Sequence, residues 1–356
     1  MSQRSRCIKV KKIRGEKALI LANKLGLTNR ELKIQHDTNH LYIPLIRQPE
    51  LAELEKLKTQ LPDFELAAKV FAQKKPQPKK LQQVLADQLP PSLLASLPRA
   101  LDVIGDIAII DIPSELKNYE QVIGEALLKR HKNVRTVLAK VGAVTGIYRV
   151  REFEVIAGEP RTTTFHKEHG CQYHVDVATA YFSPRLSTEH DRVASLVQKG
   201  ETVVDMFAGV GPFAVLIAKK QADVKVYAVD INPEAVELLK QNIRLNRVDS
   251  RVIPIQGNAR QSVEKQISGV ADRVIMNLPE KAIEFVDAAS KAVKPSGGTI
   301  HYYAFIRRPD RLEDAQKRFS EAVEKAGRKV DVFLSAKPVR ETAPYEWQIV
   351  LDAKII

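Results

Sequence analysis

Cysteine is scarce in this 356-residue chain: Cys7 and Cys171 are the only two, and they lie far apart. Two isolated thiols supply neither a disulfide framework nor a zinc site. Long apolar runs are missing as well, and no stretch approaches the ~20 consecutive apolar residues that cross a bilayer. Residues 1–15 are basic and lack the apolar centre that a signal peptide carries. No internal repeat occurs, and low complexity is confined to one short segment around residue 75. These absences predict a soluble protein of the cytoplasm that uses no metal.

Positive charge is what the chain has in excess, with 56 Lys+Arg against 43 Asp+Glu and a formal net charge of +13. The excess is uneven. Residues 1–80 carry 18 basic against 8 acidic side chains, residues 81–180 carry 11 against 12, and residues 181–356 carry 27 against 23. A basic front segment attracts polyanions such as nucleic acid, although lysines that only solvate a surface explain the composition equally well. With 44% hydrophobic residues, the chain can bury two or three cores.

Periodicity divides the chain into four stretches. Residues 1–75 alternate short elements: a strand at 7–10, a helix at 15–25, a strand at 40–44 and a helix at 50–59. Together they predict a small basic α/β module. The proline-punctuated, lysine-rich run at 72–80 reads as a linker, assigned to 76–88. Residues 89–180 predict an α+β platform. It has a buried strand at 100–112 turning at Gly105, a helix at 120–130, and strands at 136–140, 148–156, 162–168 and 173–177, the later ones a meander. From residue 181 to 356 strands and helices alternate regularly. That pattern predicts an α/β fold, a Rossmann-like doubly wound parallel sheet whose last two strands pair as an antiparallel hairpin.

The best chemical signal ends the first strand of that alternation, Val203-Val-Asp205-Met-Phe-Ala-Gly209-Val-Gly211. A carboxylate closes the strand, and two glycines let the backbone approach a ligand. The third glycine of the dinucleotide fingerprint is missing, which disfavours NAD. The next strand ends at Asp230, placed to accept hydrogen bonds from ribose hydroxyls. The third ends Gln256-Gly-Asn258 and the fourth Met276-Asn277-Leu-Pro279. Four such strand ends define one crevice at the carboxyl edge of a sheet. Residues 202–280 therefore resemble a class I S-adenosylmethionine-dependent methyltransferase. That resemblance implies S-adenosylmethionine as cofactor, held by Asp205, Phe207, Gly209, Gly211, Asp230, Ile231, Asn258 and Asn277. Asn258 stands where many members carry Asp.

After Asn277-Leu-Pro279 comes Glu280 rather than the second proline and aromatic residue of enzymes that methylate amines. Together with Tyr181-Phe-Ser-Pro-Arg185-Leu-Ser-Thr-Glu189, Tyr148-Arg149-Val-Arg151 and Ile300-His-Tyr-Tyr303, this resembles the archaeal and eukaryotic tRNA guanine-N1-methyltransferase family, which acts at tRNA position 37. The resemblance spans nearly the whole chain. It implies Glu189 as general base, Arg149 as the cation at O6, Asn277 and Pro279 along the guanine edge, and Tyr181 lining the pocket. It also implies tRNA contacts by Arg151, Arg185 and His190, with the basic front module on the tRNA body and the platform at the anticodon loop, in a protein acting as a monomer. The chemistry agrees independently. Guanine N1 bears a proton near neutral pH, a positioned carboxylate can take it, and a fixed arginine can stabilise the charge left on O6. His190 follows the expected base where the family carries Arg, a change expected to raise the base's pKa.

Plainer roles exist for each residue taken singly. Glu189 can decorate the helix predicted at 188–197, Arg149 or Arg151 can be a surface charge, and Pro279 can start a helix. His166, His169 and His174 read as surface or RNA-contacting residues rather than metal ligands. The rival functions are methylation of a tricyclic guanosine derivative at the same tRNA site, RNA binding without catalysis, and methylation of a small molecule.

Overall fold

The structure is a computed structural model that describes residues 2–74, 80–146 and 148–356, with the side chains of 143–145 also outside the description. The chain divides into two compact units, residues 1–78 and 79–356.

The first unit contains β1 (Ser2–Lys11), α1 (Gly15–Lys24), β2 (Gln35–His36), β3 (His40–Pro44), α2 (Leu51–Gln60) and β4 (Glu65–Ala72). The strands form an antiparallel sheet in the order β2-β3-β1-β4. Ile8, Val10, Leu21, Ile43 and Leu57 close its core beneath α1 and α2. Strand β4 has no counterpart in the sequence reading. Its Ala- and Lys-containing run is a weak strand former, and pairing with β1 from Ser2 to Lys9 decides its state.

The second unit begins with α3 (Leu81–Val84) and α4 (Pro91–Leu94). The linker expected over 76–88 therefore ends early. Residues 75–79 lie outside the described residues, whereas Leu81, Leu85 and Leu89 are buried at a spacing of four against Ile123, Leu127 and Val137. There follow β5 (Leu101–Ile104), β6 (Ile107–Ile110), α5 (Glu120–Arg130), β7 (Thr136–Thr145) and β8 (Val150–Gly158), in a sheet ordered β5-β6-β7-β8. The turn at Gly105 has φ +57°, and a Cβ there would lie 2.5 Å from the Phe165 carbonyl oxygen, so glycine is required.

The meander expected through 148–177 does not form. Strands β9 (Thr163–Glu168) and β10 (Cys171–Asp176) make a separate hairpin that leaves the platform sheet. Tyr173 and Val175 of this hairpin are buried with Phe213 and Leu239, so it shares the core of the next layer.

That layer comprises α6 (Ser187–Leu196), β11 (Thr202–Asp205), α7 (Pro212–Lys220), β12 (Lys225–Asp230), α8 (Pro233–Asn246), β13 (Val252–Gln256), α9 (Ala259–Ser262), β14 (Arg273–Met276), α10 (Val286–Ala292), β15 (Gly298–Arg307), α11 (Leu312–Lys325), β16 (Val330–Ala343) and β17 (Glu346–Ile355). Its seven-stranded sheet runs β13-β12-β11-β14-β15-β17-β16. The first five strands are parallel, and β17 lies antiparallel between β15 and β16. Apolar cores flank both faces, one under α7 and α8 and one under α10 and α11. Asn242 and Asn246 of α8 fix the hairpin: their side chains bond the backbone of His174 and Gln172 respectively, accepting from N–H and donating to C=O.

Candidate active site

The carboxyl ends of β13, β12, β11 and β14 lie side by side and open on a crevice of about 290 Å³. Asp230 closes β12. Its two oxygens accept from the backbone N–H of Gly209 at 2.7 Å and of Asn232 at 2.9 Å, which couples the first two strand ends directly. Burial raises its pKa, and the N–H donors of Asn232, Gly209 and Ile231 oppose the rise. These two donors hold the carboxylate in place on the crevice wall.

Asp205 does not line the crevice. It lies behind it, fully buried, and among the described residues neither oxygen has a hydrogen-bond partner of good geometry. Burial pushes its pKa to about 7; the nearby Phe207 amide lowers it, and the charge of Asp230 raises it. A buried carboxylate without donors is costly, which makes these two oxygens the unmet acceptors behind the crevice. Gly211 is likewise behind the wall. It takes φ +92° at the start of α7, and a Cβ would come within 2.4 Å of Leu239 Cδ1. Gly209, Phe207, Ile231 and Asn258 do line the crevice. The Phe207 ring meets Phe285 edge-on at 5.1 Å, and Asn258 Oδ1 caps α9 by accepting from Arg260 N–H. That cap occupies the oxygen of Asn258 and leaves its NH2 as the free polar end.

The outer wall carries Arg149, Tyr181, Asn277 and Pro279. Arg149 sits at φ +56° just before β8. Both of its terminal nitrogens donate to the two carboxylate oxygens of Glu280 at 2.9 Å. Tyr181 is 43% exposed, with the Arg149 guanidinium carbon 5.9 Å from its ring centroid. Arg151 and Arg185 fall instead in an adjoining depression of about 300 Å³ that shares Arg149, Tyr181 and Arg340 with the crevice. Arg185 there is paired with Asp102 at 2.6 Å.

Two expected site residues are oriented differently from what their sequence positions suggest. His190 is 1% exposed, its Nδ1 lies 2.7 Å from Glu168 Oε1, and its ring packs edge-on against Phe213. A buried carboxylate at Glu168 requires that partner, and at 1% exposure His190 offers RNA almost no surface. Glu189 is the second. It is 4% exposed in the first turn of α6, and its carboxylate turns toward β15 and β16 rather than into the crevice. Oε2 accepts from Tyr303 Oη at 3.0 Å and Arg192 Nε at 2.8 Å, and Oε1 lies 3.3 Å from Lys337 Nζ. Arg192 is held in turn by Asp352, and Asp352 by His301 at 2.6 Å.

Sequence reasoning missed Arg340, Gln348 and the Arg192–Asp352 support. One signal was available. Gln348 and Asp352 are polar residues inside the apolar run Trp347-Gln-Ile-Val-Leu-Asp352, and buried polar groups in such a strand have partners.

Comparison with known proteins matches this architecture piece by piece. Residues 164–333 match the TRM5/TYW2 methyltransferase domain, residues 81–162 the TYW2 N-terminal domain, and residues 7–53 the tRNA methyltransferase 5 N-terminal domain. The chain is 41% identical over 331 residues to the tRNA (guanine(37)-N(1))-methyltransferase Trm5b of Pyrococcus abyssi, covering 93% of each chain. The crystal structure of Trm5b from that organism superposes with a TM-score of 0.73 at 39% identity, covering 99% of both chains. A complex of aTrm5 with tRNALeu superposes at 0.68 and 36% identity, covering 98% of this chain and 99% of that one. With the crevice at the strand ends, the module order and these likenesses in agreement, the chain belongs to the TRM5/TYW2 methyltransferase family.

Proposed function

We propose that this protein transfers a methyl group from S-adenosylmethionine to N1 of guanosine 37 of tRNA, beside the anticodon. The observation that carries the reading is the fully buried, unpartnered carboxylate of Asp205 behind a strand-end crevice whose outer wall bears Arg149, Asn277 and Pro279. Bound S-adenosylmethionine supplies a methyl group made electrophilic by its sulfonium. Asp205 and the turn through Gly209 and Gly211 would hold its methionine end, Asp230 its ribose, and Phe207, Ile231 and Asn258 the adenine side.

The remaining chemistry falls to the outer wall. Guanine must leave its stack before N1 is accessible. Glu189 is the proposed acceptor of the N1 proton. Lys337 is the most exposed of its three partners, at 43%, so displacing Lys337 is the shortest way to free Oε1. Arg149, held at the crevice mouth by Glu280, is the proposed cation for charge developing on O6, with Asn277 and Pro279 along the same edge and Tyr181 flanking it. Arg151 has no carboxylate partner among the described residues; with Arg185 it is assigned to phosphate contacts near the anticodon, and the basic unit 1–78 to the tRNA body. The protein acts in this reading as a cytoplasmic monomer without metal.

Unmodified tRNA transcripts carrying guanosine or adenosine at position 37 test the reading with wild type and Glu189→Gln. N1-methylguanosine from wild type on the first substrate alone supports it. Transfer to adenosine, or full activity in Glu189→Gln, overturns the base or the residue. The match of residues 81–162 to the TYW2 N-terminal domain favours a second reading, a tricyclic guanosine derivative at the same position, which nucleoside mass spectrometry separates from the first.

A further inference from the structure

Three side chains join the two depressions in one directional chain. Arg340 Nε donates to Gln348 Oε1 at 2.8 Å, and Gln348 Nε2 donates to Asn277 Oδ1 at 3.2 Å. The direction follows from chemistry alone. An arginine N–H can only donate, so the end of the Gln348 amide facing it is the oxygen. The other end of that amide is then NH2, which can only donate, so the Asn277 atom facing it is Oδ1. With its Oδ1 engaged by Gln348, the polar end that Asn277 has left for the crevice it lines is its own NH2.

Arg340 is itself well fixed. Its other nitrogens donate to Ser183 Oγ at 3.0 Å and Tyr181 Oη at 3.3 Å, and no carboxylate pairs with it among the described residues. Gln348 is 1% exposed, so water does not compete for either of its bonds. Guanidinium does not lose its proton in the working range of a protein, so the polarity is independent of pH.

We propose that Arg340 and Gln348 are positioning residues that lock Asn277 as a hydrogen-bond donor, and that this polarity selects a purine with an oxo group at C6 over one with an amino group. An oxo group accepts from the Asn277 N–H and does so more strongly as N1 loses its proton and O6 gains charge. An amino group sets donor against donor and leaves both unpaired. Enzymes that methylate an amine need the opposite polarity, an amide oxygen turned toward the substrate. The inference rests on the guanine reading above and explains which part of the site enforces it.

The test uses the full chain with tRNA transcripts bearing guanosine, inosine or adenosine at position 37. Wild type is expected to methylate guanosine and inosine, which share O6, and to reject adenosine at every pH. Gln348→Glu keeps the bond from Arg340 but accepts from Asn277, turning its oxygen toward the crevice. Its kcat on guanosine is expected to fall on the order of 10²-fold, the loss typical of one misplaced donor to a developing oxyanion. Its KM for tRNA should stay within about threefold. A role exerted through Asn277 also makes Gln348→Glu/Asn277→Ala no slower than Asn277→Ala alone. Arg340→Met, at a half-buried position, gives the same readout through the guanosine-to-adenosine ratio should the Glu variant be poorly folded. Wild-type kcat in Gln348→Glu with an unchanged ratio in Arg340→Met, or losses that add in the double variant, overturns the inference alone. Wild type inactive on guanosine 37 overturns the reading beneath it as well.

Discussion

Replacing Asp205 by Asn isolates the cost that the proposed cofactor site imposes on the fold. Asp205 is 0% exposed, both of its oxygens lack partners among the described residues, and burial lifts its pKa from 3.8 to about 7. In the unfolded chain the group ionises near 3.8, so between pH 4 and 7 the folded state binds more protons than the unfolded one. Stability therefore falls as pH rises through that window, and the loss is complete above about pH 7. At about 1.36 kcal/mol for each tenfold change in proton concentration, the penalty reaches roughly 4 kcal/mol. Asp205→Asn keeps the shape and removes the charge. Its buried NH2 carries a pH-independent cost of about 1–3 kcal/mol if unpaired, so the diagnostic is the change with pH rather than any single value. Urea unfolding without cofactor at pH 4, 5.5 and 8 should show the variant gaining on wild type by roughly 2 kcal/mol at pH 5.5 and roughly 4 kcal/mol at pH 8, relative to pH 4. With S-adenosylmethionine the order reverses. Loss of a charge-assisted bond worth about 1.5–3 kcal/mol weakens binding by roughly 10- to 150-fold, and wild-type affinity rises as pH passes 7. A stability difference that is flat with pH, or equal cofactor affinity in the two proteins, refutes the argument.

Other perturbations have definite outcomes. Glu189→Gln should lower single-turnover methyl transfer by about 10²- to 10⁴-fold with cofactor affinity unchanged, as expected for loss of the proposed general base. Arg149→Met should cost about 10²- to 10³-fold in kcat while tRNA binding, measured by filter retention, changes little. Gly211→Ala forces a Cβ to 2.4 Å from Leu239 Cδ1 at φ +92°, so a loss of roughly 1–3 kcal/mol in unfolding free energy is expected. Affinity for tRNA should fall linearly on a log–log plot against salt, and a chain lacking residues 1–78 should show a shallower slope by about 0.7–0.9 for each phosphate contact removed.

Glu189 and Arg149 change meaning most between sequence and structure. The helix around Glu189 forms as read, whereas the strand expected from residue 148 begins at Val150 and leaves Arg149 in a turn at φ +56°. Where the Glu189 carboxylate points is not local. Tyr303, Lys337 and Arg192 draw it toward β15 and β16, and Arg192 is itself aligned by Asp352 on β17. His190 follows Glu189 in the chain, yet its partner is Glu168 on the β9–β10 hairpin.

The sequence by itself determined the alternation of strands and helices from residue 202, the acidic ends at Asp205 and Asp230, and the glycine turn between them. Each depends on short-range sterics and periodicity, which a few neighbouring residues carry. Only the tertiary structure decided that β4 joins β1, that the hairpin of β9 and β10 leaves the platform for α8, and that Gln348 meets Asn277 across 71 positions of chain. Those outcomes depend on which surfaces pack together, and so does the hydrogen-bond direction at Asn277. Its sense is set by an arginine and a glutamine on the two antiparallel strands that close the sheet.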